Sequence, residues 1–483
     1  MNIFERAGWS GLWGSLVLAL VPLALPGATP VQQQLDALTG AAQGKRVGLI
    51  TNPSGCDEAG NLDADYLLYT NGVDITAFFA PEHGLRGVLP PGQSGGDYID
   101  PQTGVPVYAV YGARNAPTDA QLTNVDLVVF DLQDVGVRFY TYVWTMTYCM
   151  EAAARNGKPF YVIDRPNPIG GMRVEGAPNT VDYGLVGRLG AGAAFGVATR
   201  HGMTAGEIAW IWNDRWMSPK AELHVITVPN WSRDQWWADT GRVFVPPSPN
   251  MRNAHAAAVY PGTCIFEGSN LSVGRGTDKP FEQVGAPFIN GADWAAGLNT
   301  NGLAGARFEA VTFRPTNSVW ANQNCGGVQV VITNRDTFDP IRTGLFMLQT
   351  VYKMYPANVS ITSYAGTLMG VPGLQNAIKT GDINAIIAGW QANLAQFRAL
   401  RRAYLLYPEI PPSFNSIRLS APARTEAELS WTGLNGRHYR LTRRGSLSAP
   451  WNTTNDYAGD GGTLTVTDAL APGMGFYRLE LLP

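Results

Sequence analysis

Four short runs place polar residues directly after apolar stretches that read as strands. They are Thr51-Asn52-Pro53, Pro81-Glu82-His83-Gly84, Asp131-Leu132-Gln133-Asp134 followed by Arg138, and Asp164-Arg165-Pro166-Asn167. Carboxylates gathered in this way suit general acid–base work. One carboxyl protonates a leaving oxygen, and a second stabilises or attacks the carbon it leaves. Glu82 ranks first among them. It is fixed between a proline and a glycine, and Phe78 and Phe79 lie just upstream to desolvate it, which would hold it protonated as a general acid. Helix capping and loop tethering are the ordinary alternative for any single Asp or Asn at a strand end.

A second constellation comprises Pro247-Ser248-Pro249-Asn250-Met251 and the glycine-rich run from Glu267 to Thr277, which carries Arg275. This run lacks the Lys-Ser/Thr ending of a phosphate loop and the glycine spacing of a dinucleotide site. An arginine in such a loop suits a ligand carboxylate, which it can grip with two parallel hydrogen bonds. A structural tie to an acidic residue is the plainer alternative. His201 and His255 have no partners at ligand spacing, and Cys56, Cys149, Cys264 and Cys325 form no CxxC pair, so neither metal nor cofactor is expected. One disulfide or four buried thiols both fit those cysteines.

The elements that must position these residues alternate strand and helix from Lys45 to about Pro168. Strands are expected at Arg46–Thr51, Val73–Ala80, Val105–Tyr111, Val125–Asp131 and Pro159–Asp164, with a helix from Tyr140 to Asn156. Near-continuous apolar strands suit a parallel sheet covered on both faces, and ligands bind beyond the carboxyl ends of such strands. The fold class is α/β: a Rossmann-like parallel-sheet domain, a smaller α+β domain and a C-terminal β-sandwich-like module. Strands at Glu222–Val228, Ala310–Arg314 and Gly327–Thr333, and helices at Met203–Trp216, Phe338–Tyr355 and Ile383–Tyr407, are read as the less regular second region. Thr204 and Glu207 have the spacing of a capping box. Six tryptophans between Trp210 and Trp237 read mainly as core. The domains are drawn at 40–245 and 246–407, a proline-rich linker at 408–416 and the small module at 417–483.

Residues 1–28 read as a secretory signal: Arg6, an apolar run from Leu16 to Leu25, then small residues with cleavage near Ala28. The run is too short to span a bilayer comfortably. Export to the periplasm or the exterior is therefore expected. The chain of 483 residues has a net charge of −3, which gives no electrostatic case for nucleic acid or an anionic membrane.

The ordered runs together resemble the exo-β-N-acetylmuramidases of glycoside hydrolase family 171. Besides the strand ends, the matching runs include Val47–Pro53, Asp131–Gly136, Arg138-Phe139-Tyr140-Thr141-Tyr142, His201-Gly202-Met203-Thr204, Pro247–Met251 and Glu267–Thr277. They cover Lys45 to Tyr407; the last module lies outside the resemblance, and Val181–Phe195 departs from the family pattern. The resemblance implies release of terminal β-N-acetylmuramic acid from the non-reducing end of peptidoglycan fragments, in a cleft between two domains. It places the family's catalytic glutamate on Glu82, with Asp131 and Asp164 as further catalytic candidates. Asn52, His83, Asp134, Arg138, Arg165, Asn250, Glu267 and Arg275 are the expected substrate-binding residues. Arg138, Arg165 and Arg275 are the candidates for the lactyl carboxylate that separates muramic acid from glucosamine. Two other readings stay open here: a non-catalytic binder of wall fragments, and an exo-glycosidase for a related amino sugar.

Overall fold

The computed structural model describes residues 28–407 and 409, together with short strands at 3–5, 17–20, 414–419, 426–432, 438–444, 452–458, 463–469 and 476–482. The chain divides into two compact units, one holding residues up to Leu405 except 232–234, the other holding 232–234 and Leu406 onward.

The first unit is built on six parallel strands: β1 (Val47–Thr51), β2 (Ile75–Ala80), β3 (Pro106–Ala109), β4 (Leu127–Asp131), β5 (Phe160–Ile163) and β6 (Leu223–Ile226). Their spatial order is β3-β2-β1-β4-β5-β6. That is the doubly wound order, and it reverses between β1 and β4, where a crevice opens beyond the strand ends. Every residue of β1, β4, β5 and β6 is buried. Such strands need cover on both faces, which explains their unbroken apolar character. Tyr98–Ile99 runs antiparallel to β3 at one edge. Val17–Leu20 lies parallel to β6 at the other, with Ile3–Glu5 antiparallel to it; the rest of the expected leader up to residue 27 lies outside the described residues.

Glu222–Val228, read among the less regular elements but within the 40–245 domain, has β6 as its core, beside β5. The crossover into it is helix α3 (Ala205–Ile211), which follows α1 (Pro30–Ala42) and α2 (Tyr142–Arg155). Helix α3 starts in the expected capping box. The Thr204 hydroxyl accepts the Glu207 N–H, and the Glu207 carboxylate accepts the Thr204 N–H at 3.0 Å. It then widens into a π-turn over Trp212–Trp216. Trp212 is fully buried between Trp144 and Trp216, a core role.

The remainder of the first unit carries an antiparallel sheet of β7 (Gln283–Ala286), β8 (Ala306–Phe313) and β9 (Cys325–Ile332), in the order β7-β9-β8. Helices α4 (Ala254–Thr263), α5 (Gly291–Asn299) and α6 (Pro340–Met354) pack with it. Gly262 of α4 faces Gly344 of α6 so closely that a Cβ on Gly262 would lie 1.8 Å from the Pro340 carbonyl oxygen. The long helix expected from Ile383 to Tyr407 is divided into Ile383–Gly389 and Gln391–Arg401, with the buried Trp390 at the break.

The second unit contains six strands in two three-stranded antiparallel sheets. Ala427, Leu429, Trp431, Tyr439, Leu441 and Leu479 are its buried residues in the two clusters between them. Most of the expected linker, 408–416, lies outside the described residues.

Candidate active site

Glu82 stands two residues beyond β2, in a turn closed by the Gly84 N–H on the Pro81 carbonyl at 3.0 Å. His83 adopts φ +73°, a conformation that costs a non-glycine residue about 1–3 kcal/mol and is held only by its surroundings. Here its N–H donates to the Gln93 carbonyl at 2.7 Å, and its Nδ1 lies 2.8 Å from the Leu89 carbonyl. A carbonyl can only accept, so Nδ1 carries the proton. His83 is therefore buried and occupied with the loop, and it acts by fixing its neighbour.

The Glu82 carboxylate is half-buried. Oε1 accepts the Gly92 N–H at 2.9 Å, and Oε2 accepts the Thr141 hydroxyl at 2.9 Å. Burial, with the nearby Glu82 charge added, pushes the Tyr111 phenol well up. Hydroxyls can donate to a carboxylate or accept from a carboxylic acid. The Thr141 hydroxyl can thus serve either protonation state, which is what a proton-transferring residue needs. Gly92 and Tyr111 also line an open pocket of ≈ 560 Å³ formed by residues between Gly92 and Arg114.

The other strand-end acids are sorted by the fold. Asp131 was expected to be catalytic; it is fully buried, and its Oδ1 takes the Arg165 Nε at 2.9 Å and a second Arg165 N–H. The same guanidinium bonds Asp63 and the Cys56 carbonyl. Burial alone would lower the Arg165 pKa, but Asp131 and Asp63 more than reverse it. Burial, then the charge of Asp131, pushes the Asp63 carboxyl well up. Arg165 is correspondingly a structural cation with no edge left for substrate. Asp164 is corrected in the same way. Its oxygens accept the Thr204 hydroxyl at 2.7 Å and the Gly206 N–H at 2.8 Å, so it anchors the first turn of α3. Arg138 is fully buried and donates to the carbonyls of Val186 and Leu368, which ties down the divergent 181–195 segment instead of presenting a cation to the cleft. Burial pulls its pKa down to about 10. Asn52 is a positioning residue too. Its Oδ1 accepts Ser54 N–H and hydroxyl, and its Nδ2 donates to the Tyr142 hydroxyl at 2.7 Å.

Asp134 is bound to no arginine among the described residues, although Asp131 Oδ2 and Asp63 Oδ1 share with it a buried oxygen lacking a hydrogen-bond partner there. Its Oδ2 accepts the Gly136 N–H at 2.7 Å, while its buried Oδ1 has no hydrogen-bond partner among the described residues. Gly136 has φ +80°, and a Cβ there would lie 2.4 Å from the Asn167 Oδ1, so only glycine fits this turn. Behind Asp134 lies His201. Its Nδ1 accepts the Met203 N–H at 3.1 Å, so in the neutral ring Nε2 bears the proton, and it faces Asp134 Oδ2 at 3.6 Å. Glu82 and Asp134 both act electrostatically on Tyr140 and Tyr142, whose hydroxyls are pushed up chiefly by burial.

An aromatic wall leads from these residues into the second region. Tyr142 meets Tyr140 edge-on at 4.9 Å between centroids, Tyr140 meets Tyr260 at 6.2 Å, and Tyr260 meets Phe281 at 4.6 Å. Arg275 lies over Phe281 and pairs with Glu267, Nε to Oε1 at 2.8 Å. The tie expected as the plain alternative for Arg275 is thus present, with Glu267 as its acid. Asn250 is nearly buried, and its side-chain amide makes no hydrogen bond to the described residues. Tyr364 sits within electrostatic reach of Glu82, Tyr111 and Glu267, joining the two halves of the cleft. Sequence reasoning passed over Tyr111, Thr141 and Tyr364 as site residues. Tyr111 ends the expected third strand and Thr141 falls inside a matching run, so both carried a signal; Tyr364 carried none.

Carboxylates at the mouth of a doubly wound sheet, one held by a hydroxyl and a loop N–H and one by a loop N–H alone, fit a glycosidase-type acid–base site. Residues 47–255 match the family described as exo-beta-N-acetylmuramidase NamZ, N-terminal, and residues 258–407 match its C-terminal counterpart. The chain belongs to this exo-β-N-acetylmuramidase family. It is 42% identical over 368 residues to the peptidoglycan beta-N-acetylmuramidase NamZ of Bacillus subtilis (strain 168), covering 76% of this chain and 87% of that protein. Two crystal structures of DUF1343 family proteins from Bacteroides fragilis NCTC 9343 are also similar. One aligns with a TM-score of 0.70 at 31% identity, over 79% of this chain and 98% of its own. The other aligns with a TM-score of 0.61 at 27% identity, over 78% and 97%.

Proposed function

We propose that this chain is an exo-acting glycosidase that releases terminal β-N-acetylmuramic acid from the non-reducing end of peptidoglycan fragments. Glu82 is the proton donor to the leaving oxygen. Asp134, in place of Asp131 or Asp164, is the second carboxylate. One contrast carries the assignment: Asp131 and Glu267 are tied to arginines and Asp164 takes a first-turn N–H of α3, whereas Glu82 and Asp134 accept from a hydroxyl and loop N–H groups. Family membership supports the substrate. The amino-terminal pattern supports export to the periplasm or exterior, with cleavage near Ala28; N-terminal sequencing of the exported protein tests that.

The test of the reaction is turnover of a chromogenic β-muramide by the wild type, Glu82→Gln and Asp134→Asn. Loss of general acid–base catalysis costs about 10²–10⁴ in rate. Each variant is expected to fall in that range with an unchanged melting temperature. Near-normal turnover by either would remove that residue from its role. Saturable binding of muramoyl saccharides with no wild-type product would favour a binding protein instead.

A further inference from the structure

The three arginines first considered for the lactyl carboxylate are all engaged. Arg165 holds two buried aspartates, Arg138 holds two backbone carbonyls, and Arg275 directs Nε and Nη2 at Glu267. A sugar that differs from glucosamine by one carboxylate still needs a cation with an open edge near the reacting bond.

The pocket beside Glu82 supplies one. Its volume of ≈ 560 Å³ falls within the range of small-ligand sites, about 300–1,000 Å³. Of its lining residues, Gly92 donates to the Glu82 carboxylate and Tyr111 lies within its electrostatic reach, so pocket and acid share a wall. Arg114 is a lining residue, partly exposed at 32%. Its Nη2 donates to Asp97, while Nη1 and Nε make no hydrogen bond to the described residues. Asp97 is itself fixed, accepting the Ala109 N–H at 2.9 Å and the Gln121 amide at 3.3 Å. The guanidinium is therefore held in place at one corner and left open at another. Cβ atoms built on Gly92, Gly96 and Gly112 would meet nothing within 4 Å, so the backbone leaves this pocket unfilled.

We propose that Arg114 reads the lactyl carboxylate of the terminal muramic acid, with Asp97 as its positioning residue. This rests on the muramidase reading and assigns the specificity within it. The open Nη1 can donate a charge-assisted hydrogen bond to a carboxylate, with the guanidinium oriented by Asp97.

The experiment uses the full chain and calorimetric binding of free N-acetylmuramic acid and free N-acetylglucosamine, which needs no turnover. Wild type, Arg114→Gln, Arg114→Lys and Arg275→Gln are compared, with melting temperatures as the check on folding. The wild type is expected to prefer muramic acid. Arg114→Gln should cut that preference about ten- to a hundredfold, the worth of a hydrogen bond to a charged group, and Arg114→Lys should recover part of it. Arg275→Gln should keep the preference. A preference that survives in Arg114→Gln, or that is lost in Arg275→Gln alone, overturns the assignment while leaving the muramidase reading intact. No wild-type preference, together with no turnover of the β-muramide, overturns both.

Discussion

Replacing Asp131 by Asn separates a structural carboxylate from a catalytic one. In the wild type, Asp131 is fully buried and shares the Arg165 guanidinium with Asp63. The substitution keeps the shape and removes one charge, so Arg165 retains a single anionic partner. Removing one member of a buried ion pair costs about 3–5 kcal/mol, and the surviving Asp63 contact places this case near 3 kcal/mol. Unfolding entropy is about 2.1 cal/mol/K per residue, or roughly 0.8 kcal/mol/K over the roughly 380 residues of this unit, so the melting temperature should fall by about 4 °C. Arg165→Met leaves two buried carboxylates facing each other and should fall further.

The assay pairs differential scanning calorimetry with turnover of the β-muramide, measured well below the melting point. For Asp131→Asn the expected result is a lowered melting temperature with kcat within a few-fold of wild type. Asp134→Asn should show the converse, an unchanged melting temperature and a large loss of kcat. An Asp131→Asn protein that melts like wild type yet loses a hundredfold or more in kcat would refute the division drawn between the two aspartates.

Three other outcomes follow from the structure. All four cysteines are buried and free, and burial pushes the Cys56 and Cys325 thiols up to about 11, so a thiol reagent at pH 8 should label fewer than one site in the native chain and four in denaturant; two in denaturant without reductant would instead reveal a disulfide. Hydrogen bonds from Arg46, first its side chain and then its backbone, hold Asp126 below the usual carboxylate range. A depressed carboxylate contributes stability above its unfolded pKa and loses it as pH falls through the folded one, so the small deficit of Asp126→Asn should be constant above about pH 5 and vanish on acidification; a deficit that grows below pH 4 contradicts this. Gly262→Ala forces α4 and α6 apart at the Pro340 carbonyl and should lower stability by about 1–3 kcal/mol in a chemical denaturation series; wild-type stability would show that the helices have slack.

The parallel sheet was legible because its strands are short, apolar and evenly interrupted, and burial on both faces permits little else. The rim of polar strand ends followed from topology. Burial of each acid did not, because it depends on distant partners. Asp63 meets Arg165 across 102 residues of chain, and nothing in Asn61-Leu62-Asp63 announces it. Arg138 carries an ordinary arginine's sequence signal, yet it is spent on the carbonyls of Val186 and Leu368, the latter 230 residues away. Attention to carboxylates also hid Tyr111, although the strand-end argument applies to it equally.

What distinguishes the acids is how far each stands past the last rung of the sheet. Asp131 is still on the ladder, paired in register with Thr51, so its side chain belongs to the sheet's own packing. Asp164 is one residue past β5, directly under the first turn of α3, whose unpaired N–H groups take its oxygens. Glu82 is two residues past β2, and Asp134 is three past β4. These two have cleared the ladder. Glu82 follows β2, on the far side of β1, and Asp134 follows β4, one of the two strands between which the order reverses. There the connections leave on opposite faces of the sheet and cannot fill the gap between them. An acid two or three residues beyond the ladder is free of the sheet's own packing, which ranks Asp134 with Glu82 and sets Asp131 and Asp164 aside.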